Sequence, residues 1–328
     1  MKIAVIGDGG WGTANAMLLA GNGHDVTLWG AFPEYVEEMR RTRRNEKFLK
    51  GVVLPDSLKL TADRKEAVDG AEIVVLAPPS KYFASVVESF KGLITDRHLV
   101  VSLTKGLCER TNKRMTELAT EILGIKDVVA LAGPTHAEEV SRGIPTAIVA
   151  ACPDEAKARR VQEVWSGPNF RVYTSPDPVG VEIGGAVKNV IAIAVGCSDG
   201  LGYGDNTRAA LITRGLAEMK RFVLAYGGKP ETLSGLAGIG DLIVTCTSVH
   251  SRNHSVGERL GKGEKIGDIL GSMQMVAEGV WNSKVVHDLA VKMGVDMPIC
   301  NLVYNACYND FDAKKAAEAM MSRSLKSE

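Results

Sequence analysis

The chain lacks several features that mark whole classes of protein. Aromatic residues make up 5% of its 328 positions, so any core must be built from aliphatic side chains, alanine and glycine. Neither charge is in excess: 39 Lys and Arg are matched by 39 Asp and Glu, giving a formal net charge of zero. Binding to nucleic acid or to a membrane surface ordinarily needs a basic excess, so neither partner is expected. The cysteines (Cys108, Cys152, Cys197, Cys246, Cys300 and Cys307) form no CxxC pair, which argues against a disulfide framework and for reduced thiols in the cytoplasm. His250 and His254 are four residues apart but have no third ligand near them, so no metal is expected. The opening run MKIAVIG breaks at Gly7, too early for a signal peptide. No apolar stretch is read as reaching the roughly 20 residues of a membrane span, and no membrane is expected as a partner.

The chain is long enough for two domains of roughly 100–200 residues each, with 45% hydrophobic and 24% charged residues to fill and cover them. In the first half, short apolar runs alternate with helical patterns. Strands are expected over residues 3–6, 26–29, 73–77, 99–103, 128–132 and 147–151, and helices over 13–20, 34–44, 111–123 and 154–165. This alternation implies a doubly wound parallel sheet with helices on both faces. After about Pro178 the strand runs cease, and helical patterns cover 181–198, 207–226 and 306–322. The fold class expected is therefore α/β: a Rossmann-like dinucleotide-binding domain over 1–180, followed by a mainly α-helical substrate and catalytic domain over 181–328.

Gly7-Asp8-Gly9-Gly10-Trp11-Gly12 is a GxGxxG that follows a strand and opens a helix, the context that gives the motif meaning. The first glycine permits the turn, the second lets backbone approach a pyrophosphate, and the third lets the helix pack on the strand. The helix N-terminus then offers free N–H groups to the anion. The alternative is an ordinary glycine-rich turn. At the end of the second strand, an acid normally reads the ribose of NAD and a base the 2′-phosphate of NADP. This chain has Trp29-Gly30-Ala31-Phe32-Pro33-Glu34, with no charge at the tip, and the choice stays open.

Further polar residues stand in small-residue contexts. Lys188 lies in an apolar helix (Gly184-Gly185-Ala186-Val187-Lys188-Asn189-Val190), where a lysine is either a base, its pKa brought down from about 10.4 by burial and a nearby cation, or a side chain snorkelling at the helix edge. Lys105, in Leu103-Thr104-Lys105-Gly106-Leu107, follows a strand end, where it either faces the ligand crevice or is a solvated loop residue. Asp241, in Gly238-Ile239-Gly240-Asp241-Leu242, either holds an ammonium or a substrate hydroxyl, or caps a helix. Ser251-Arg252-Asn253 is a phosphate fork or a surface turn.

Taken with Ala132-Gly133-Pro134-Thr135-His136-Ala137, these motifs resemble the bacterial NAD(P)-dependent glycerol-3-phosphate dehydrogenase family from residue 1 to about Pro298. GGAVKNVIAI and ALITRGLAEM are its most specific phrases. The resemblance implies that Lys188 accepts the proton. It also implies that Lys105, Gly133, Thr135, Asp241, Ser251, Arg252 and Asn253 meet the substrate. Gly7, Gly9, Gly10, Trp11, Gly12, Ala31, Lys105, Ala137, Arg252, Val276 and Glu278 would meet NAD or NADP. It further implies a cytoplasmic homodimer whose product feeds glycerophospholipid synthesis. Three positions depart from the pattern. Ala31 stands where a basic or polar residue is frequent, Asn15 where an aliphatic one is common, and His136 is followed directly by Ala137 where Phe then Ala is usual.

The implied reaction is reversible hydride transfer between C2 of sn-glycerol 3-phosphate and C4 of the nicotinamide. Two rival readings are a related dehydrogenase with another substrate and a dinucleotide sensor without catalysis.

Overall fold

The computed structural model describes residues 1–273, 275–310, 312–315, 318 and 322. Contacts divide the chain into two compact units, Met1–Glu182 and Ile183–Glu328.

The first unit contains ten strands: β1 (Lys2–Ile6), β2 (Asp25–Trp29), β3 (Arg44–Asn45), β4 (Leu49–Val53), β5 (Lys59–Thr61), β6 (Ile73–Leu76), β7 (Leu99–Ser102), β8 (Val129–Ala132), β9 (Thr146–Ala151) and β10 (Phe170–Ser175). Eight of them form one sheet in the order β10-β9-β8-β7-β6-β1-β2-β5, while β3 and β4 pair separately. The chain winds outward from β1 in both directions, which places the switch of strand order, and the ligand crevice such sheets offer, at the end of β1. Both faces are covered. Ile3 and Val5 enter one apolar cluster with Leu19, Leu28 and Trp165; Ala4 and Ile6 enter another with Val74, Phe83 and Phe90. A sheet buried on both sides needs unbroken apolar strands, hence the runs seen in the sequence.

The sheet is not wholly parallel, as the alternation had implied: β8 and β9 pair antiparallel. The connection between them carries only the four-residue helix Ala137–Val140. That is too little to cross a sheet face and return, so the chain doubles back.

The described part of the second unit is helical and has no strand. The helix Pro178–Gly200 runs into it from the end of the first unit. By length and mean hydropathy this helix could cross a membrane, contrary to the sequence reading, but the relevant stretch is 89% buried within the protein. It crosses the helix Arg252–Gly261 at backbone distance. A Cβ on Gly196 would lie 2.0 Å from the carbonyl oxygen of His254, and one on Gly257 would lie 2.0 Å from that of Ile193. Gly200 and Gly261 repeat the approach one turn on. Of the helix expected over 306–322, the described helix Pro298–Tyr308 covers the start; the helix stops there, with residues 309, 310 and 312 not helical and 313–315 and 318 helical again, while 311, 316–317 and 319–321 lie outside the described residues.

Candidate active site

The glycine loop leads from β1 into the helix Gly10–Gly21. Gly7 has φ +117, a left-handed value that disfavours a side chain. A Cβ on Gly12 would lie 2.0 Å from the carbonyl oxygen of Gly7, so only glycine lets the helix start this close to the strand. Gly9 is different: nothing lies within 4 Å of where its Cβ would be. Open space in front of Gly9, at a helix N-terminus whose first N–H groups lack intrahelical acceptors, is the surface a diphosphate needs. Trp11 Nε1 is buried with no protein acceptor. These features fit a dinucleotide.

Segments far off in sequence close around the loop. Asn45 Nδ2 donates to the Asp8 carbonyl at 2.7 Å and to Thr13 Oγ1 at 2.8 Å. A Cβ on Gly10 would come within 2.6 Å of the Phe48 carbonyl oxygen and 3.6 Å of the Ala137 side chain. Ala137 therefore sits against the loop. Asn15, the departure noted above, has a local reason: it donates to the Trp11 carbonyl and accepts from Trp165 Nε1 at 2.9 Å.

Also in the first unit, Lys105 Nζ donates to the Gly133 carbonyl at 2.9 Å, and Thr135 Oγ1 donates to the same oxygen at 3.1 Å. Three residues singled out from three motif positions thus meet at one carbonyl. Ala31 is exposed beyond the end of β2.

In the second unit, Lys188 and Asp241 are 4% and 1% exposed. Lys188 Nζ lies 2.8 Å from Asp241 Oδ1 and donates to Thr245 Oγ1 at 2.5 Å. Thr245 passes the contact on to the Asp241 carbonyl at 2.6 Å. Lys188 does not snorkel, and the charge beside it in this unit is an anion. Asp241 opens the helix Asp241–Thr247 but does not cap it; its carboxylate serves the lysine. An ammonium so held keeps its Nζ position with little freedom.

Ser251 caps the helix Arg252–Gly261 by accepting from the His254 N–H at 3.2 Å. Arg252 is exposed and donates to the Val276 carbonyl at 2.8 Å. Asn253 is buried and uses both ends of its amide, donating to Asn189 Oδ1 and accepting from the Gly279 N–H. Glu278 begins the neighbouring helix Glu278–Met293. The two segments singled out separately, 251–253 and 276–278, are therefore adjacent.

Sequence reading passed over four contributors. Asn189 stands beside Lys188 in the motif and could have been picked out by that neighbourhood. Asp8 lay inside the glycine motif. Asn45 and Thr245 carried no signal, since each acts through a partner fixed only by the fold.

A doubly wound sheet with a diphosphate-ready glycine loop, and a helical unit with a buried, ion-paired lysine, define a nicotinamide-dinucleotide-dependent oxidoreductase. The comparisons narrow this class. Residues 2–158 match the model of the NAD-dependent glycerol-3-phosphate dehydrogenase N-terminus, and residues 177–318 that of its C-terminus. The chain belongs to that family and uses NAD or NADP. It is 49% identical over 330 residues to glycerol-3-phosphate dehydrogenase [NAD(P)+] of Geobacillus kaustophilus, covering 100% of this chain and 96% of that one. It is also 49% identical to the protein of the same description from Chlorobium limicola, at 100% and 99% coverage. The crystal structure of glycerol-3-phosphate dehydrogenase from Coxiella burnetii superposes with a TM-score of 0.94 at 38% identity, over 98% of this chain and 99% of that one.

Proposed function

We propose that this chain interconverts sn-glycerol 3-phosphate and dihydroxyacetone phosphate, with Lys188 as the group that moves the hydroxyl proton. The observation that carries this reading is the buried Lys188–Asp241–Thr245 cluster: one lysine removed from solvent, held at a fixed position by a carboxylate and a hydroxyl. The nicotinamide, when bound, supplies the hydride acceptor or donor. In the oxidative direction the Lys188 amine takes the proton of the C2 hydroxyl. In the reductive direction its ammonium gives that proton to the oxygen on C2 and stabilises the negative charge building there.

The other residues bind and orient. The exposed Arg252 guanidinium and the first-turn N–H groups of Arg252 and Asn253, at a helix N-terminus capped by Ser251, hold the phosphate. The Asn253 side chain, bound to Asn189 and Gly279, orients that turn rather than reaching out. Lys105, Gly133 and Thr135 line the substrate's path in the first unit. Gly7, Gly9, Gly10, Trp11 and Gly12, with Ala31, Ala137, Val276 and Glu278, meet the cofactor. Phosphate binding remote from the reacting carbon contributes energy to placing that carbon. Six unpaired cysteines fit a reducing compartment, and we infer a cytoplasmic homodimer whose product enters glycerophospholipid synthesis.

The test is loss of nicotinamide absorbance on adding dihydroxyacetone phosphate, with NADH and NADPH in parallel. Turnover with either is expected. Folded protein that binds cofactor yet turns over neither would point instead to a different substrate or to a sensor.

A further inference from the structure

One charged side chain in the glycine loop has no part in that chemistry. Asp8 is 8% exposed, and its Oδ2 is buried with no hydrogen-bond partner. Burial pushes its carboxyl up from its ordinary value, while its own backbone N–H and the charge of Lys47 pull the other way. The carboxylate lies against the end of β2: a Cβ on Gly30 would sit 2.6 Å from Oδ2, so a side chain at position 30 would displace it. The Asp8 carbonyl accepts from Thr13 Oγ1 and Asn45 Nδ2, which fixes the loop that carries it.

In a sheet of this kind the end of the second strand meets the adenosine ribose. An acid there accepts from the 2′-hydroxyl, and a base takes a 2′-phosphate. Residues 30–33 of this chain carry no charge. Asp8 brings one to the same place from the loop after the neighbouring strand. We infer that Asp8 is the ribose-reading acid of this chain, accepting a hydrogen bond from the adenosine ribose and opposing a 2′-phosphate, so that NAD(H) is preferred to NADP(H). This rests on the dinucleotide reading of the glycine loop.

Lys47 is the opposing charge. Its Nζ lies 5.1, 5.7 and 5.9 Å from the ring centres of Phe48, Tyr35 and Phe32. It is one cation already engaged by aromatic faces. The buried carboxylate oxygen without a donor decides the balance. A ribose hydroxyl satisfies it, whereas a phosphate sets like charge against it in a poorly solvated place.

The test is equilibrium binding without substrate, read by nucleotide fluorescence or calorimetry. Wild-type protein is expected to bind NADH at least about tenfold more tightly than NADPH, a difference typical of one well-placed like-charge clash. ADP-ribose should show the same preference over 2′-phospho-ADP-ribose, and that pair needs no variant. Asp8→Asn, nearly isosteric, should bring the two dinucleotides within about threefold, chiefly by tighter NADPH binding. Lys47→Ala should leave the NADH preference standing. Equal binding of the two by wild type, or an unchanged ratio in Asp8→Asn, overturns the Asp8 assignment and leaves the dinucleotide site intact. Failure of folded wild type to bind either nucleotide would remove the dinucleotide reading itself.

Discussion

At the glycine loop, the chain makes a site by leaving side chains out: Gly7 and Gly12 pack backbone on backbone, and Gly9 leaves a bare surface in front of a helix N-terminus. Around Lys188 it does the opposite, burying an ammonium, a carboxylate and a hydroxyl against one another. The first construction depends on spacing along a few consecutive residues. The second depends on residues 53 and 57 positions away from Lys188, so it exists only once the second unit has folded. A site of the first kind should tolerate loss of any one polar side chain and fail on gaining a methyl group. A site of the second kind should do the reverse.

Lys188→Met should sharpen that contrast most. Turnover is expected to fall about a thousandfold, within the range for removing a positioned proton-transfer group. Cofactor affinity, which we assign to the glycine loop, should stay within about threefold of wild type. Steady-state kinetics beside NADH binding separate the two. Near-normal turnover would sink the Lys188 assignment.

Asp241→Ala probes the same cluster through stability. It leaves the Lys188 ammonium buried without its counter-ion, which should cost about 3–5 kcal/mol in urea unfolding. A loss below about 1 kcal/mol would show that the lysine is not charged in the folded state.

The glycine loop offers the mirror experiment. Gly12→Ala forces a methyl group onto the Gly7 carbonyl and should cost about 3 kcal/mol as well as cofactor binding. Gly9→Ala meets nothing within 4 Å, so its stability should stay within about 0.5 kcal/mol of wild type while cofactor affinity drops. Equal stability of the two variants would break the account of the loop.

The same contrast explains what the sequence disclosed. The six strands expected in the first unit are present to within a residue or so, because burial on both faces writes each as a continuous apolar run. β10 escaped notice because FRVYTS alternates at a sheet edge, and β5 because three residues carry no period. The antiparallel return of β9 is a property of its connection, not of its residues. The glycine loop was readable since its physics is local. Lys188 was noticeable as a lysine among alanines, and Asp241 as a carboxylate able to hold an ammonium, but the pairing of the two was not: the neighbour expected for Lys188 was a cation, and the structure supplies the Asp241 carboxylate. Asn253 read as a phosphate ligand from its triplet, whereas its amide is engaged by Asn189, 64 positions away.

The second unit buries another carboxylate, and here the effect should be smaller and pH-dependent. Glu218 is 1% exposed and accepts from the Ile299 and Cys300 N–H groups at 2.8 and 3.2 Å, at the start of the helix Pro298–Tyr308. Those donors and Arg221 favour the anion, but burial outweighs them and pushes the carboxyl up to about 7. The folded state therefore keeps a proton that the unfolded chain, titrating near its ordinary value, has already released. Stability from this group is full below about pH 4.5 and is lost as pH rises towards about 7, by at most ~1.4 kcal/mol per pH unit, with about 2 kcal/mol of the loss falling between pH 5 and 7.5. Glu218→Gln cannot titrate, so its urea midpoint should fall less than that of wild type between pH 5 and 7.5. Parallel profiles for the two proteins would mean that the two N–H donors, and not burial, set the charge of Glu218. The helix would then begin on a carboxylate already ionised at neutral pH, stabilised by the same kind of N-terminal field that we propose a diphosphate meets at the glycine loop.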